Sequence, residues 1–404
     1  MPFIIKINVR HSTTGPLIRT LRRYNNFVYN KKFNSLASTF NFDFYFDPRN
    51  QEHAEIICIS HLHEVQLYFT KNENQEYDPN ENELEFIGFM LINKFVNNGT
   101  PQWVKCSGYS KAGPLLDCDI APNHFPLEIE GLKLKNVIEK LIKPFNIKLD
   151  IEKGANTGNV LHDKTAEQRA HGENIGKTSA ESSQNVASYI SELARSLNIV
   201  LSHNNKGDIH IVTPNTKGEP IFNFDFTDSS ENNDVKKIPG IESELEFNGQ
   251  PMHTHIYVIQ QADDNEGSNA VYSKPLRNPL IPIGASAVYR PKVIVISSGG
   301  EFTIDQAARY ELGKEIREGV KLTISISKND INGKLIQPNN TIKVKDPTQF
   351  LYNDSIWFIQ EVEHTDNKDG SRCIMHCVLP FGYDYDEKRL KNVFVNTHEN
   401  LPIF

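Results

Sequence analysis

The patterns in this chain with chemical potential are histidine pairs, cysteines and runs of carboxylates. His61-Leu62-His63-Glu64 and His253-Thr254-His255 place alternate side chains on one strand face, which can suit a metal ion. Neither has a partner pair at a defined spacing, and zinc takes three or four ligands, so surface histidines are the expectation. Cys373, His376 and Cys377 also invite a metal reading. In a strand, however, the two cysteines share a face and His376 points away, so that site is rejected. No G-x-S-x-G elbow, P-loop or G-x-G-x-x-G fingerprint follows a strand. The acidic runs at 81–85 and 384–387 admit a glycosidase-like pair by count alone. Both sit at expected strand ends and tails, where solvated carboxylates are ordinary. The expectation is no catalytic, metal or cofactor site, and no enzyme.

Bulk composition narrows the partners. The 404 residues suggest two to four compact units, and 38% hydrophobic with 23% charged residues is a globular balance. With 51 acidic against 43 basic residues the formal net charge is −8, which speaks against a sequence-wide nucleic-acid surface. Arg19, Arg22, Arg23, Lys31 and Lys32 form a local basic strip, expected to be a solvated face. The start Met-Pro-Phe-Ile-Ile-Lys lacks the pattern of a signal peptide, and no stretch approaches the ~18 apolar residues of a membrane span. A soluble chain made in a cytosol is expected, with no stable membrane insertion. Five cysteines, at 58, 106, 118, 373 and 377, lie among apolar, strand-like neighbours, so reduced and buried thiols are expected.

The elements that would position these residues are mainly β. Phe40, Phe42, Phe44 and Phe46 alternate with polar neighbours, the period of a half-buried strand. Further strands are predicted at 56–59, 65–69, 86–96 and 103–109, the last two flanking Asn97-Asn98-Gly99. Residues 1–112 thus read as an N-terminal β-barrel. Residues 113–215 read as an α+β domain. Leu134, Val137, Ile138, Leu141, Ile142 and Phe145 fall on one helix face, and Val186, Tyr189, Ile190, Leu193, Ala194 and Leu197 repeat the spacing. Each helix is followed by Asn (Asn146, Asn198), able to turn left-handed and release the chain into a strand. Between the two units, 152–184 is poor in apolar residues and predicted to be a mobile surface loop. Residues 240–262 and 320–383 read as a second β-barrel, and 384–404 as a C-terminal tail. The segment 263–319 reads as an insertion: an extended arm, then a helix opened by the Thr303–Gln306 capping box and stopped by Gly319. The hairpins 86–109 and 355–381 echo one another in length and loop; two copies of one barrel, or chance, would explain it. The fold class is therefore α+β, mainly β: two small β-barrel domains with an intervening α+β domain and an extended insertion.

The order of several short motifs resembles the baseplate hub proteins of Mu-type contractile phage tails. More distant likenesses are to the T-even hub and the hub part of type VI secretion spikes. Ser35 to Phe42 followed by Asp47-Pro48 is similar to the family's opening barrel strand. Gly88 and the run Cys106 to Asp117, with Gly108, Tyr109, Gly113 and Asp117, resemble its exit from the first barrel; Pro114 departs from a usually polar position. Gly172-Glu173, the 186–197 helix and Gly207 to Ile211 resemble the middle domain. Arg290-Pro291 after Tyr289, the capped helix with Glu311, and Gly333 to Asn339 with Pro338 resemble the closing barrel. The resemblance implies a homotrimeric ring in which each subunit gives two barrels. Six barrels would face the tail tube, a three-fold face would seat the spike, and baseplate wedge proteins would surround it. DNA would be passing cargo only, and an acidic or neutral bore would suit it. Two rivals from the residues are a cell-wall hydrolase and a carbohydrate-binding adhesion module, the latter suggested by the β-rich ends and by Tyr383 and Tyr385, expected to be exposed.

Overall fold

The computed structural model describes residues 3–9, 17–57, 62–72, 77–96, 102–121, 128–153, 166–172, 175, 178–181, 183–227, 233–238, 240–260, 271–272, 275–281, 288–296, 303–390, 393–396 and 401–402. The fold is α+β and mainly β. Its first part contains β1 (Phe3–Val9), β2 (Leu17–Leu21), β3 (Asn25–Lys32), β4 (Thr39–Tyr45), β5 (Glu64–Phe69), β6 (Leu84–Val96) and β7 (Trp103–Ser110). The middle part has α1 (Leu134–Ile142), β8 (Leu149–Ile151), α2 (Val186–Ser196), β9 (Leu201–His203) and β10 (Ile209–Ile211). The last part contains β11 (Asn223–Asp225), β12 (Glu242–Phe247), β13 (His255–Gln260), β14 (Pro291–Ile296), α3 (Ile304–Gly319), β15 (Val320–Ile326), β16 (Thr341–Asp346), β17 (Leu351–Asn367) and β18 (Gly370–Val378).

Two β modules share one strand plan. In the first, β3 to β7 stand side by side as β3-β4-β7-β6-β5, with β1 and β2 added beyond β5. In the second, β12, β15, β16, β17 and β18 stand as β12-β15-β18-β17-β16, with β11 added beyond β16. The permutation is the same, and within each set of five strands the neighbours are antiparallel, whereas β11 joins β16 parallel. In each, the register between the hairpin strands slips in the fourth strand, past Leu91 in β6 and past Gln360 in β17. Counted from those bulges, Phe40, Phe42 and Phe44 correspond to Leu322, Ile324 and Ile326, and all six are buried. That is the inward half of the period-two pattern in both.

Each module curls until its end strands meet. Phe3 of β1 lies 4.5 Å from Phe27 of β3, ring centre to ring centre, and the Tyr24 hydroxyl donates to the Phe3 carbonyl at 2.9 Å. In the second module the Gln349 side chain, just past β16, donates to the Ser243 carbonyl of β12 at 2.9 Å. The modules are also joined edge to edge. The second half of β17 pairs antiparallel with β3, from Glu361↔Lys32 to Asp366↔Phe27, so one sheet runs through both.

The middle part packs α1 and α2 against a three-stranded sheet, β9-β10-β8, with β8 and β10 parallel. Asn146 (φ 56°) and Asn198 (φ 51°) both adopt the left-handed conformation and release the chain as the pattern requires. The helix α1 ends at Ile142, and Pro144 sits in the 3-10 turn that follows. Thr303 and Gln306 form both bonds of the capping box at the start of α3.

The structure corrects several expectations. Residues 51–56, whose last member begins the strand predicted at 56–59, form a helix because the Asn50 side chain caps Glu52 N at 2.9 Å. Part of 152–184 is not a surface loop: 166–172 is helical, 178–179 pairs with 128–129, and Ala170, Ile175 and Ala180 enter the middle core. β13 does not join the second barrel but centres a separate sheet with β14, 271–272 and 276–277, which gives the insertion its own ladder. The tail begins buried: Asp384 and Tyr385 are inside, next to buried Tyr383, and Leu390, Val393 and Phe394 belong to the second core. Cys118 is exposed, whereas Cys106, Cys373 and Cys377 are buried. Cys58 and the turn 97–99 lie outside the described residues.

Candidate functional site: the seam between the two modules

Among the described residues the histidine pairs do not assemble a metal site. His253 Nδ1 lies 2.6 Å from the buried Glu315 carboxylate, while His255 lies beside the rings of Tyr257 and Tyr289. His63 is buried in the first module, and His61 lies outside the described residues. Cys373 and Cys377 face the second core, and His376 sits 3.3 Å from the Thr323 hydroxyl on the other face. One Ser–His pair is present: Ser38 Oγ lies 2.5 Å from His203 Nε2, and His203 Nδ1 lies 2.8 Å from the Ser35 carbonyl. Both residues are buried, and the ring is oriented by a carbonyl rather than a carboxylate. Burial holds the His203 pKa down at about 3. A nucleophile needs an approach for substrate; this pair instead fastens the middle part to the first module.

Five of the residues singled out by motif come together. Gly88, Gly108 and Gly113 surround Tyr109 at the exit from the first module. A methyl group on Gly88 would lie 2.0 Å from the Tyr109 carbonyl, and one on Gly113 would lie 1.9 Å from the Tyr109 ring. At Gly108 it would meet the Phe89 carbonyl at 1.9 Å. Burial, and then a hydrogen bond to Asp117, push the Tyr109 pKa up to about 12. The glycines are required by close backbone approach, and the knot fixes where the chain leaves the sheet. Gly172 stands apart and exposed at a helix end, and Glu173 lies outside the described residues.

The remaining motif residues fasten the second module. The Arg290 guanidinium donates to the carbonyls of Gly249 (2.5 Å) and Gln250 (2.8 Å), clamping the turn after β12, and Pro291 opens β14. Lys292 donates to Glu311 at 2.5 Å and lies 3.3 Å from Glu315. Its partners more than offset desolvation, so its pKa is raised. Gly333 (φ 84°) makes the tight turn at 330–335. Asn339 accepts from Asn215 N at 2.7 Å and donates to the Thr213 carbonyl at 3.2 Å, and Pro338 precedes it.

The seam itself was missed by the sequence patterns. Along β17 and β3, Asn30 donates to Glu361 at 2.7 Å, and Tyr29 stacks on His364 with centroids 6.2 Å apart. Beside it, Lys31 donates to Asn205 at 2.6 Å, while Asn205 (3.1 Å) and Gln337 (2.6 Å) both donate to the Glu85 carboxylate. Burial pushes the Glu85 pKa up to about 7 despite Lys31 nearby, and burial also lowers the Lys31 pKa. Four side chains from the first module, the middle part and the second module thus meet at one point. The acidic run at 81–85 is therefore not wholly solvated. Nor is the basic strip one face: Arg19 pairs with Glu52 and Glu55, and Lys31 is drawn into the seam. No group of three or more ligating side chains suited to a metal occurs among the described residues.

Solved structures share this arrangement over nearly the whole chain. The 43 kDa tail protein of prophage MuSo2 from Shewanella oneidensis superposes with a TM-score of 0.68 at 15% identity, covering 95% of this chain and 99% of that one. The tail protein from Neisseria meningitidis MC58 gives 0.67 at 14%, covering 95% and 98%. A chain of the Francisella PdpA-VgrG complex gives 0.54 at 9%, covering 94% of this chain and 58% of that one. This is the fold of phage tail proteins. No protein-family model matches the chain, and no curated protein matches it in sequence.

Proposed function

We propose that this chain is a structural, non-enzymatic baseplate hub of a contractile phage-type tail. Three copies form a ring whose six β modules meet the six-fold tail tube, while its three-fold face seats the spike and its rim meets baseplate wedge proteins. Its place is the virion tail, and DNA crosses its bore without a stable site. The observation that carries this reading is the pair of β modules with one strand plan, side by side in one sheet. A chain that presents nearly the same surface twice turns three subunits into six equivalent contacts, which is what a three-to-six-fold adaptor needs. End-to-end likeness to tail proteins supports it. The burial of Tyr383 and Tyr385 removes the aromatics on which the adhesion alternative rested. Light scattering and negative-stain microscopy test it: the expected particle is a ring with three times the 46.0 kDa chain mass. A stable monomer that degrades cell wall would overturn it.

A further inference from the structure

Repetition of the strand plan says how neighbouring subunits would join. Inside the chain, the second half of β17 pairs with β3. The strand that corresponds to β17 is β6, and the one that corresponds to β3 is β12. Both corresponding edges lack a second strand partner among the described residues, although the Gln349 side chain reaches Ser243 at one end of β12. β6 pairs with β5 through Leu84–Phe89, but Ile92–Val96 pairs with β7 alone. β12 ends the sheet and pairs with β15 alone. Exposed apolar side chains lie along both: Ile92 (59%) and Phe95 (48%) on β6, and Phe247 (41%) on β12.

We infer that the open half of β6 in one copy pairs antiparallel with β12 of the next copy, repeating the β17–β3 seam between subunits. This rests on the ring reading above and names its interface. Carrying the seam's register across through the matched bulges sets Phe95 opposite Leu245 and Lys94 opposite Glu246. Phe95 lies across from buried Val104, on the inner face of the first module, and Leu245 lies on the inner face of the second. Lys94 sits opposite Lys105 on β7, a like-charge pair that an acid on its open side offsets. Glu246 sits opposite Lys321 on β15, so the combined row reads Lys105, Lys94, Glu246, Lys321. Exposed flat edges invite pairing, and here the pairing closes a ring rather than running on as a fibre. The occupant of each edge is a second copy of this chain.

Cysteines at directly opposed strand positions lie within disulfide reach, so Lys94→Cys with Glu246→Cys in a Cys118→Ser background is the direct test. Oxidised full-length protein should run as covalent dimers and trimers on a non-reducing gel, while either single variant stays monomeric there. Lys94→Glu should weaken subunit association by about tenfold or more at low salt, and adding Glu246→Lys should restore it. Circular dichroism separates lost assembly from lost folding, and recovery in the charge swap excludes a folding defect. A trimeric wild type that neither cross-links nor responds to charge reversal sinks this interface and leaves the ring standing. A wild type that is monomeric at every concentration sinks both.

Discussion

The two β modules have one plan and different fillings. Trp357 in β17 is fully buried, its indole N–H donating to Ser355 Oγ at 2.9 Å. The corresponding place in β6 is Gly88, and there the space is taken by the Phe86 ring, which a methyl group on Gly88 would meet at 2.5 Å. Around it Phe40 and Tyr29 set their rings edge-on to Phe86, at 5.2 and 5.8 Å. The first core is thus rich in phenylalanine from several strands, and the second is mainly aliphatic around one indole. What both keep is the ladder, the bulge in the fourth strand and a helical turn after the fifth. Backbone pairing defines the frame; side-chain volume can be supplied from any strand that faces inward.

The comparison can be tested by removing each filling in turn. Trp357→Ala should cost about 3–5 kcal/mol in denaturant unfolding, because nothing else occupies that space. A loss below ~1 kcal/mol would mean the second module is not built around the indole. Acid should act on both modules through their buried histidines. His203, fastened to the first module, and His364, in β17, are both held down to a pKa of about 3 by burial. Their stabilising contribution is fully present above the ordinary value near 6.5 and is lost as pH falls from there toward 3. Each contributes about 1.4 kcal/mol per pH unit in that window. His203→Gln and His364→Gln should each flatten the pH dependence of the melting temperature; unchanged slopes would place the acid sensitivity elsewhere.

A smaller effect is expected where the first module is tightest. Gly88→Ala should cost about 1–3 kcal/mol, because the added methyl must push β6 from the Tyr109 carbonyl. If it is neutral in thermal unfolding, close approach is not why glycine stands opposite a tryptophan position. A change of similar size, visible only as a pH dependence, concerns the point where both modules meet. Glu85 has a raised pKa of about 7, so its contribution is complete below its ordinary value near 4.5 and is lost as pH rises through 7. Glu85→Gln should remove that decline, gaining about 1.4 kcal/mol relative to wild type for each pH unit between 5 and 7. Parallel stability curves for the two proteins would show that the seam does not feel this charge.

Local signals were legible where one stretch of chain satisfies itself. The alternation around Phe40 to Phe44, the faces of α1 and α2, the left-handed Asn146 and Asn198 and the Thr303–Gln306 box all depend on neighbours within a few residues. The exit knot was legible as a motif, although its reason, Gly88 and Gly113 making room for Tyr109 and Gly108 for the Phe89 carbonyl, needed coordinates. The helix at 51–56 was misread because apolar Ile56 and Ile57 resemble a strand start, while the Asn50 cap decides the conformation. Tyr383 and Tyr385 carry no local sign of burial. They are inside because Arg317, far back in α3, lies over the Tyr383 ring at 4.8 Å and donates to the Gly382 carbonyl.

By itself the chain's order of residues determined many of the strands and helices and which side of each is apolar, because those properties follow from backbone geometry and burial period. Only the tertiary structure decided that β17 reaches across to β3, that Glu85 and Gln337 share a hydrogen bond, and which strand edges lack a second strand among the described residues. Such pairings join residues hundreds of positions apart. Their free energy depends on shape, desolvation and register matching at once, and no short window of sequence contains all three.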